Sequence, residues 1–274
     1  MEIPVDWAIP QIITFFLVVA RLSGMFLIAP VFSSGMIPGR FKVMIMLVLA
    51  AMLTPIVAPK NAEEVPTELL DLVIAMGMES LIGFSMGFAV AIVFSAVQVG
   101  ASLIDTSMGL SMASIVDPLN NAQSAVMGSF YSMVATLVFL AVNGHHWMLA
   151  GFVRSFDMVG AGQMPDVEKL MANVFASFTG LFTIAFQVAA PILVTLLLVD
   201  IVLGIVSRVV PQMNVFFVGA PLKIGVGLLA VIIALPSFAG FLENRVSDIM
   251  TGASVLAGQD DPRTAGEVNA ADGS

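Results

Sequence analysis

A chain of 274 residues that is 59% hydrophobic and 11% charged, with a mean hydropathy of +1.03, is an integral membrane protein, because soluble domains carry about 25% charged residues. Its net charge of −9 argues against nucleic acid as a partner, and part of it sits in the tail after Gly252, where Asp260, Asp261, Glu267 and Asp272 face only Arg263. The absence of cysteine excludes disulfides, thiol nucleophiles and cysteine metal sites together.

With about 20 apolar residues needed to span a bilayer, six hydrophobic segments are predicted. The N-terminus, MEIPVDW, is acidic where a secretory leader needs a basic region, so no cleaved leader is expected. The first segment runs from Trp7 to about Pro30, with Trp7 as an interfacial anchor and Arg21 inside it. The second is Phe41 to Ala58, closed by Pro59 and the polar stretch that follows. The third, Leu69 to about Val97, holds Glu79, and its Gly83 and Gly87 form a small-residue face of the kind on which membrane helices pack. The fourth is Ala125 to Val142 and ends at NGHHWML, read as an interfacial turn. A more polar linker with Arg154, Asp157, Asp166, Glu168 and Lys169 leads to the fifth, Asn173 to Ile205, which contains Pro191 and Asp200. The sixth runs from about Asn214 to Leu242 with Lys223 and Pro236. From about Thr251 the chain is small and polar without periodicity and reads as disordered.

Between the third and fourth segments lies Ser95 to Ala125, rich in Ser, Gly, Ala, Met and amides. It stands in a block without any Lys or Arg from Lys60 to Arg154. Backbone that is neither reliably helical nor greasy must be buried in protein or line a watery cavity. Two readings are open: a soluble loop between spans, or a flexible insertion constricting a path through the molecule. The second rests on flexible apolar Met108, Leu110 and Met112 among small Gly109, Ser111, Ala113 and Ser114, ended by a turn at Asp117-Pro118.

Charge bias fails to orient the spans. With the N-terminus outside, Arg40, Lys42, Arg208 and Lys223 collect on one side and Lys60, Arg154, Lys169, Arg245 and Arg263 on the other. Polytopic proteins ordinarily show a clear excess. The helices therefore need not all cross a bilayer conventionally, since a helix apolar all round can also be buried in a large assembly.

Enzyme signatures are missing. No phosphate-binding G-x-x-x-x-G-K-[ST] loop occurs, and Gly225-x-Gly227 lies in an apolar run without a preceding strand, so it reads as a packing site. Adjacent His145 and His146 point about 100° apart on a helix, unlike the i, i+4 pair of zinc proteases. Arg21, Glu79, Asp200 and Lys223 are expensive at bilayer depth and should face protein or water. They read as pairs across helix or subunit contacts, or alternatively as a proton relay through Glu79 and Asp200. From Arg208 to Gly227 a helix stops at Pro211, a polar tip with Gln212 follows, and a second apolar helix begins near Asn214. That is a tight hairpin with cations near its tip.

Four stretches in order, RLSGMFLIAPVF from Arg21, QVGASLIDTSMG with DPLNN in the centre, FLAVNGHHWML from Phe139 and RVVPQMNVFFVGAPLKIGVGL from Arg208, resemble the FliR/SctT family of type III secretion export-gate subunits. The resemblance spans residues 5 to 250. It implies an all-α membrane protein within a helical assembly of FliP-like and FliQ-like subunits, with FlhB and FlhA as further partners and membrane lipid around it. The substrates implied are unfolded exported flagellar proteins; no covalent chemistry and no cofactor are implied. The implied place is the inner membrane at the flagellar basal body. Residues 1–172 would be the FliP-like part with a central plug loop, 173–250 the FliQ-like hairpin and 251–274 the tail. By position the plug maps to roughly Thr106 to Asn121, with Met108, Gly109, Leu110, Ser111, Met112, Asp117 and Pro118 as its residues. Along the hairpin, Arg208, Pro211, Gln212, Phe216, Gly219, Pro221 and Lys223 are expected at subunit contacts. The alternatives are an injectisome gate subunit secreting virulence effectors and, from another class, a secondary transporter using Glu79 and Asp200.

Overall fold

The computed structural model describes residues 5–33, 35, 37–61, 68–110, 126–212 and 214–255. Among them are eight helices and no strand: α1 (Val5–Ile28), the short α2 (Pro30–Ser33), α3 (Gly39–Asn61), α4 (Leu69–Met108), α5 (Val126–Ala141), α6 (Gly144–Met158), α7 (Val167–Val209) and α8 (Val215–Val255). Five of them, α1, α3, α4, α7 and α8, are long and apolar enough to cross a membrane, and α5 with α6 meet the same test together as a broken span. The chain is an all-α membrane protein.

Three helices outrun the segments drawn from hydropathy. α4 has 40 residues, α7 43 and α8 41, or about 60 Å each at ~1.5 Å per residue. A hydrocarbon core is about 30 Å thick, so each is roughly twice as long as a crossing requires. The stretch from Ser95 was expected to be irregular, yet Ser95–Met108 completes α4. Ala96, Val97, Ala101, Ile104 and Met108 recur at helical spacing and are buried, so packing overrides the weak propensity of a Ser- and Gly-rich run. Likewise the expected turn at NGHHWML and the first residues of the polar linker, Arg154 to Asp157, belong to helix α6. Met148, Phe152, Ser155 and Phe156 form its buried face, a helical spacing that its charged residues obscure in a hydropathy window. The histidine-rich turn itself is present but short: Asn143 takes left-handed backbone (φ 57°) and α6 begins at Gly144. α8 runs on to Val255, past the Thr251 where the tail was expected to begin.

The chain groups into two compact units. The first comprises Met1–Ala91, Asn143–Phe175 and Val246–Ser274. Its centre is the crossing of α1 and α4, where backbones touch. A Cβ on Gly83 would fall on the Arg21 carbonyl, one on Gly24 on the Ser80 carbonyl, and one on Gly87 would stand 2.7 Å from the Met25 carbonyl. Ser80 Oγ donates to the Ala20 carbonyl at 3.2 Å across the same crossing. Lipid is as apolar as leucine, so close approach through small residues, not water exclusion, is what favours such a contact in a membrane. α3 packs on α1 through one stripe, Ala50, Thr54 and Val57. Its remaining perimeter, including Phe41, Met44, Val48, Met52 and Ile56, is exposed. Asp166 caps α7: its Oδ1 accepts from the Lys169 backbone N–H at 3.2 Å, and that bond holds the carboxyl below the usual carboxylate range.

The second unit comprises Ile92–Val142 and Ala176–Arg245. Phe94 meets Phe139 edge to face (5.7 Å), and Tyr131 meets Phe238 in the same way (5.0 Å). α4 approaches α7 closely at Gly100, where a Cβ would stand 2.6 Å from the Ala185 carbonyl. α7 and α8 form the expected hairpin. The α7 ladder stops because Pro211 has no N–H to donate; the last bond before it is Val210 N–H to the Val206 carbonyl (2.9 Å), and α8 opens with Phe217 N–H donating to Asn214 (3.1 Å). Both helices run through their internal prolines, Pro191, Pro221 and Pro236.

Candidate functional site

In the first unit Arg21 of α1 and Glu79 of α4 meet. Arg21 is 0% exposed and Glu79 1%, and Arg21 Nε donates to Glu79 Oε2. The rest of the guanidinium is also satisfied: Nη1 donates to Ser155 Oγ at 2.9 Å and Nη2 to the Val159 carbonyl at 3.0 Å. Its plane lies 3.7 Å over the Phe156 ring, a stacking contact that a desolvated cation favours. The second carboxylate oxygen, Oε1, accepts from Gly162 N–H at 2.9 Å. A buried ion pair is tolerable only when its remaining donors and acceptors are paired in this way. The sequence singled out Arg21 and Glu79; it did not single out Ser155, Phe156 or Gly162. Gly162 adopts φ +82°, so a glycine after a helix was the available signal.

In the second unit the other two charges pair across the hairpin, Lys223 Nζ to Asp200 Oδ1 at 2.6 Å. Lys223 therefore does not sit at the tip; Arg208 does, exposed in the last turn of α7, where a cation suits the negative helix end. The Asp200 side chain stays 50% exposed beside Leu197, Leu198, Ile201 and Val202, which are exposed too. Pro211, Gln212 and Pro221 are exposed. Gly219 is buried, with room for a Cβ only 3.1 Å from Leu203 Cδ1. Phe216 lies in the first turn of α8, and its side chain is outside the described set.

The same unit holds the two stems of the central segment. α4 ends on Gly109 in left-handed backbone (φ +83°), with Gly109 N–H donating to the Thr106 carbonyl (3.1 Å) and Leu110 N–H to the Asp105 carbonyl (3.0 Å). That double bond pattern is a glycine-terminated helix cap. Met108 is fully buried, and a Cβ at Gly227 would stand 2.8 Å from its side chain. Ser111, Met112, Asp117 and Pro118 lie outside the described residues. Near the end of α4, Asp105 is 4% exposed and accepts from Met127 N–H (3.1 and 3.2 Å) and Gly128 N–H (3.4 Å) on the far side of the gap. A carboxylate at a helix start serves both the free N–H groups and the helix dipole. It also ties α4 to α5 on either side of residues 111–125. Asp105→Ala should cost about 1–2 kcal/mol, in line with loss of a helix N-cap, and speed amide exchange at 126–130. Exchange unchanged there would show that α5 is held elsewhere.

The chain matches the family described as bacterial export proteins, family 1, over residues 12–249. It is similar to the flagellar biosynthetic protein FliR of Bacillus subtilis, 36% identical over 224 residues, which is 81% of this chain and 85% of that protein. The flagellar biosynthetic protein FliR of Escherichia coli is 32% identical over 226 residues, 81% of this chain and 84% of its own length. The secretion system apparatus protein SsaT of Salmonella typhimurium is 28% identical over 159 residues, 58% of this chain and 61% of that protein.

Proposed function

We infer, from the premise that this chain belongs to the bacterial export proteins, family 1, that it is a core subunit of the flagellar type III protein export gate. It sits in the inner membrane at the flagellar basal body, assembles with FliP-like and FliQ-like subunits, and works alongside FlhB and FlhA. Unfolded flagellar proteins pass through the channel these subunits form, and the chain performs no covalent chemistry. The two relatives named as flagellar share more of the chain than the secretion system apparatus protein does, which favours flagellar over effector export.

One observation carries the assembly reading. The hairpin exposes an ion pair in the middle of apolar helices, with Asp200 half open to its surroundings. Lipid around that face would leave the carboxylate in hydrocarbon, at a cost of several kcal/mol, so protein or water covers it. Neighbouring hairpins of a multi-subunit gate meet that need. The transporter reading lacks comparable support, because both oxygens of Glu79 are already engaged, by Arg21 and by Gly162.

In the gate, the hairpin 173–250 is the FliQ-like part, and residues 1–172 are the FliP-like part. The segment beyond Gly109, including Leu110, Ser111, Met112, Asp117 and Pro118, is the plug of the channel, with Met108 as its buried root. Coexpression with FliP-like and FliQ-like subunits should raise the yield of monodisperse protein at least several-fold. Equal yields of monodisperse monomer with and without them would contradict the assembly.

A further inference from the structure

The buried pair in the first unit makes more contacts than self-neutralisation requires. Arg21 Nη2 holds the Val159 carbonyl and Glu79 Oε1 holds the Gly162 N–H, so the two partners grip opposite ends of one short turn. The turn closes on itself independently: Gln163 N–H donates to the Gly160 carbonyl at 3.1 Å, and Gly160 N–H donates to Gln163 Oε1 at 3.1 Å. Its shape is therefore local. Its place is not, because α1 and α4 reach it through this pair. The turn lies just ahead of Asp166, the cap of α7, so where it sits sets where the long hairpin helix begins.

We propose that Arg21 and Glu79 form a two-point clamp that positions the Val159–Gly162 turn at the start of α7, a role separate from stabilising the fold. The physical ground is a contrast of magnitudes. Exchanging a buried ion pair for well-packed apolar residues of similar volume is often neutral or stabilising, whereas removing one partner strands a buried charge. If stability were the pair's only role, an apolar pair would replace it without loss. Ser155 and Phe156 support the grip by orienting the guanidinium: Ser155 Oγ donates onward to the Phe152 carbonyl at 2.7 Å, and the Phe156 ring fixes its plane. The inference stands on this geometry and does not depend on the export reading.

The test is hydrogen exchange, read by mass spectrometry on the full chain in its purified assembly, with thermal melting in parallel. In the double variant Arg21→Met/Glu79→Leu, melting should stay within a few degrees of wild type. Exchange in the peptide covering 159–163 should rise about tenfold or more, and peptides from α1 and α4 should be unchanged. Wild-type exchange at 159–163 would overturn the clamp, as would a rise spread evenly over α1, α4 and α6 with a lowered melting temperature. If the double variant does not accumulate, Glu79→Gln decides. Its amide turns an NH2 group either on Gly162 N–H or on Arg21, which holds Val159, so one of the two grips is lost; exchange at 159–163 should still rise, and no change there would again overturn the proposal.

Discussion

Valine at position 83 should leave almost no protein in the membrane. A Cβ at that site would lie on the Arg21 carbonyl, which is backbone, and the flanking contacts at Gly24 and Gly87 are with backbone as well. No rotamer change can make room; α1 and α4 would have to separate along the whole crossing. Overpacking a core costs about 1–3 kcal/mol when side chains can shift, and here they are not what blocks the new atoms. Separation would also pull Arg21 from Glu79, leaving buried charges unpaired at a further cost of about 3–5 kcal/mol. Together these approach the whole stability of an ordinary domain, about 5–15 kcal/mol. Gly77→Val is the matched control, because nothing lies within 4 Å of a Cβ there, and it should accumulate normally. Immunoblots of membrane fractions report both, and normal levels of the position-83 variant would show that the crossing is looser than its geometry.

The second large effect concerns the central segment. A channel for unfolded chains must hold back small ions when idle, so its narrowest part needs a filling that yields to a passing chain. Leu110 and Met112 are apolar, Ser111, Ala113 and Ser114 add little bulk, and no cation stands between Lys60 and Arg154 to hold an acidic substrate. The stems are firm: a glycine cap ends α4 at Gly109 and Asp105 ties the start of α5. Deleting Ser111 to Ile115 spares both devices. Assembly should be unchanged, and conductance across membranes carrying the deleted gate should rise well above that of the intact gate. A baseline conductance identical to wild type would show that the segment is a bland loop.

How far the chain could be read from its letters depended on which physical signal each part carries. Among the described residues hydropathy located every long apolar helix, and Gly83 and Gly87 announced a helix-packing face because small residues at that spacing have few other uses in a span. Hydropathy did not set the lengths. α4 continues through Ser95–Met108 because Ala96, Ala101 and Ile104 are buried by α4's neighbours in the second unit, a tertiary effect that propensity does not contain. The stop was nonetheless written in the sequence, as the glycine after Met108, a common left-handed helix end. α6 was hidden for the opposite reason: Arg154 and Asp157 lower its mean hydropathy, while its apolar stripe keeps helical spacing. Arg21 and Glu79 stood out as charges in apolar runs, and their pairing is consistent with that. Their backbone partners, Val159 and Gly162, could not be read from residue identity, because a carbonyl or an N–H belongs to every position.

The role in export is tested most directly by removing this chain alone from its own cells and measuring flagellar proteins in the culture medium. A strain lacking it should grow normally and still synthesise hook and filament proteins, yet release none, and the wild-type chain supplied from a plasmid should restore release. Undiminished export of those proteins in the deletion strain would contradict the chain's place in the gate.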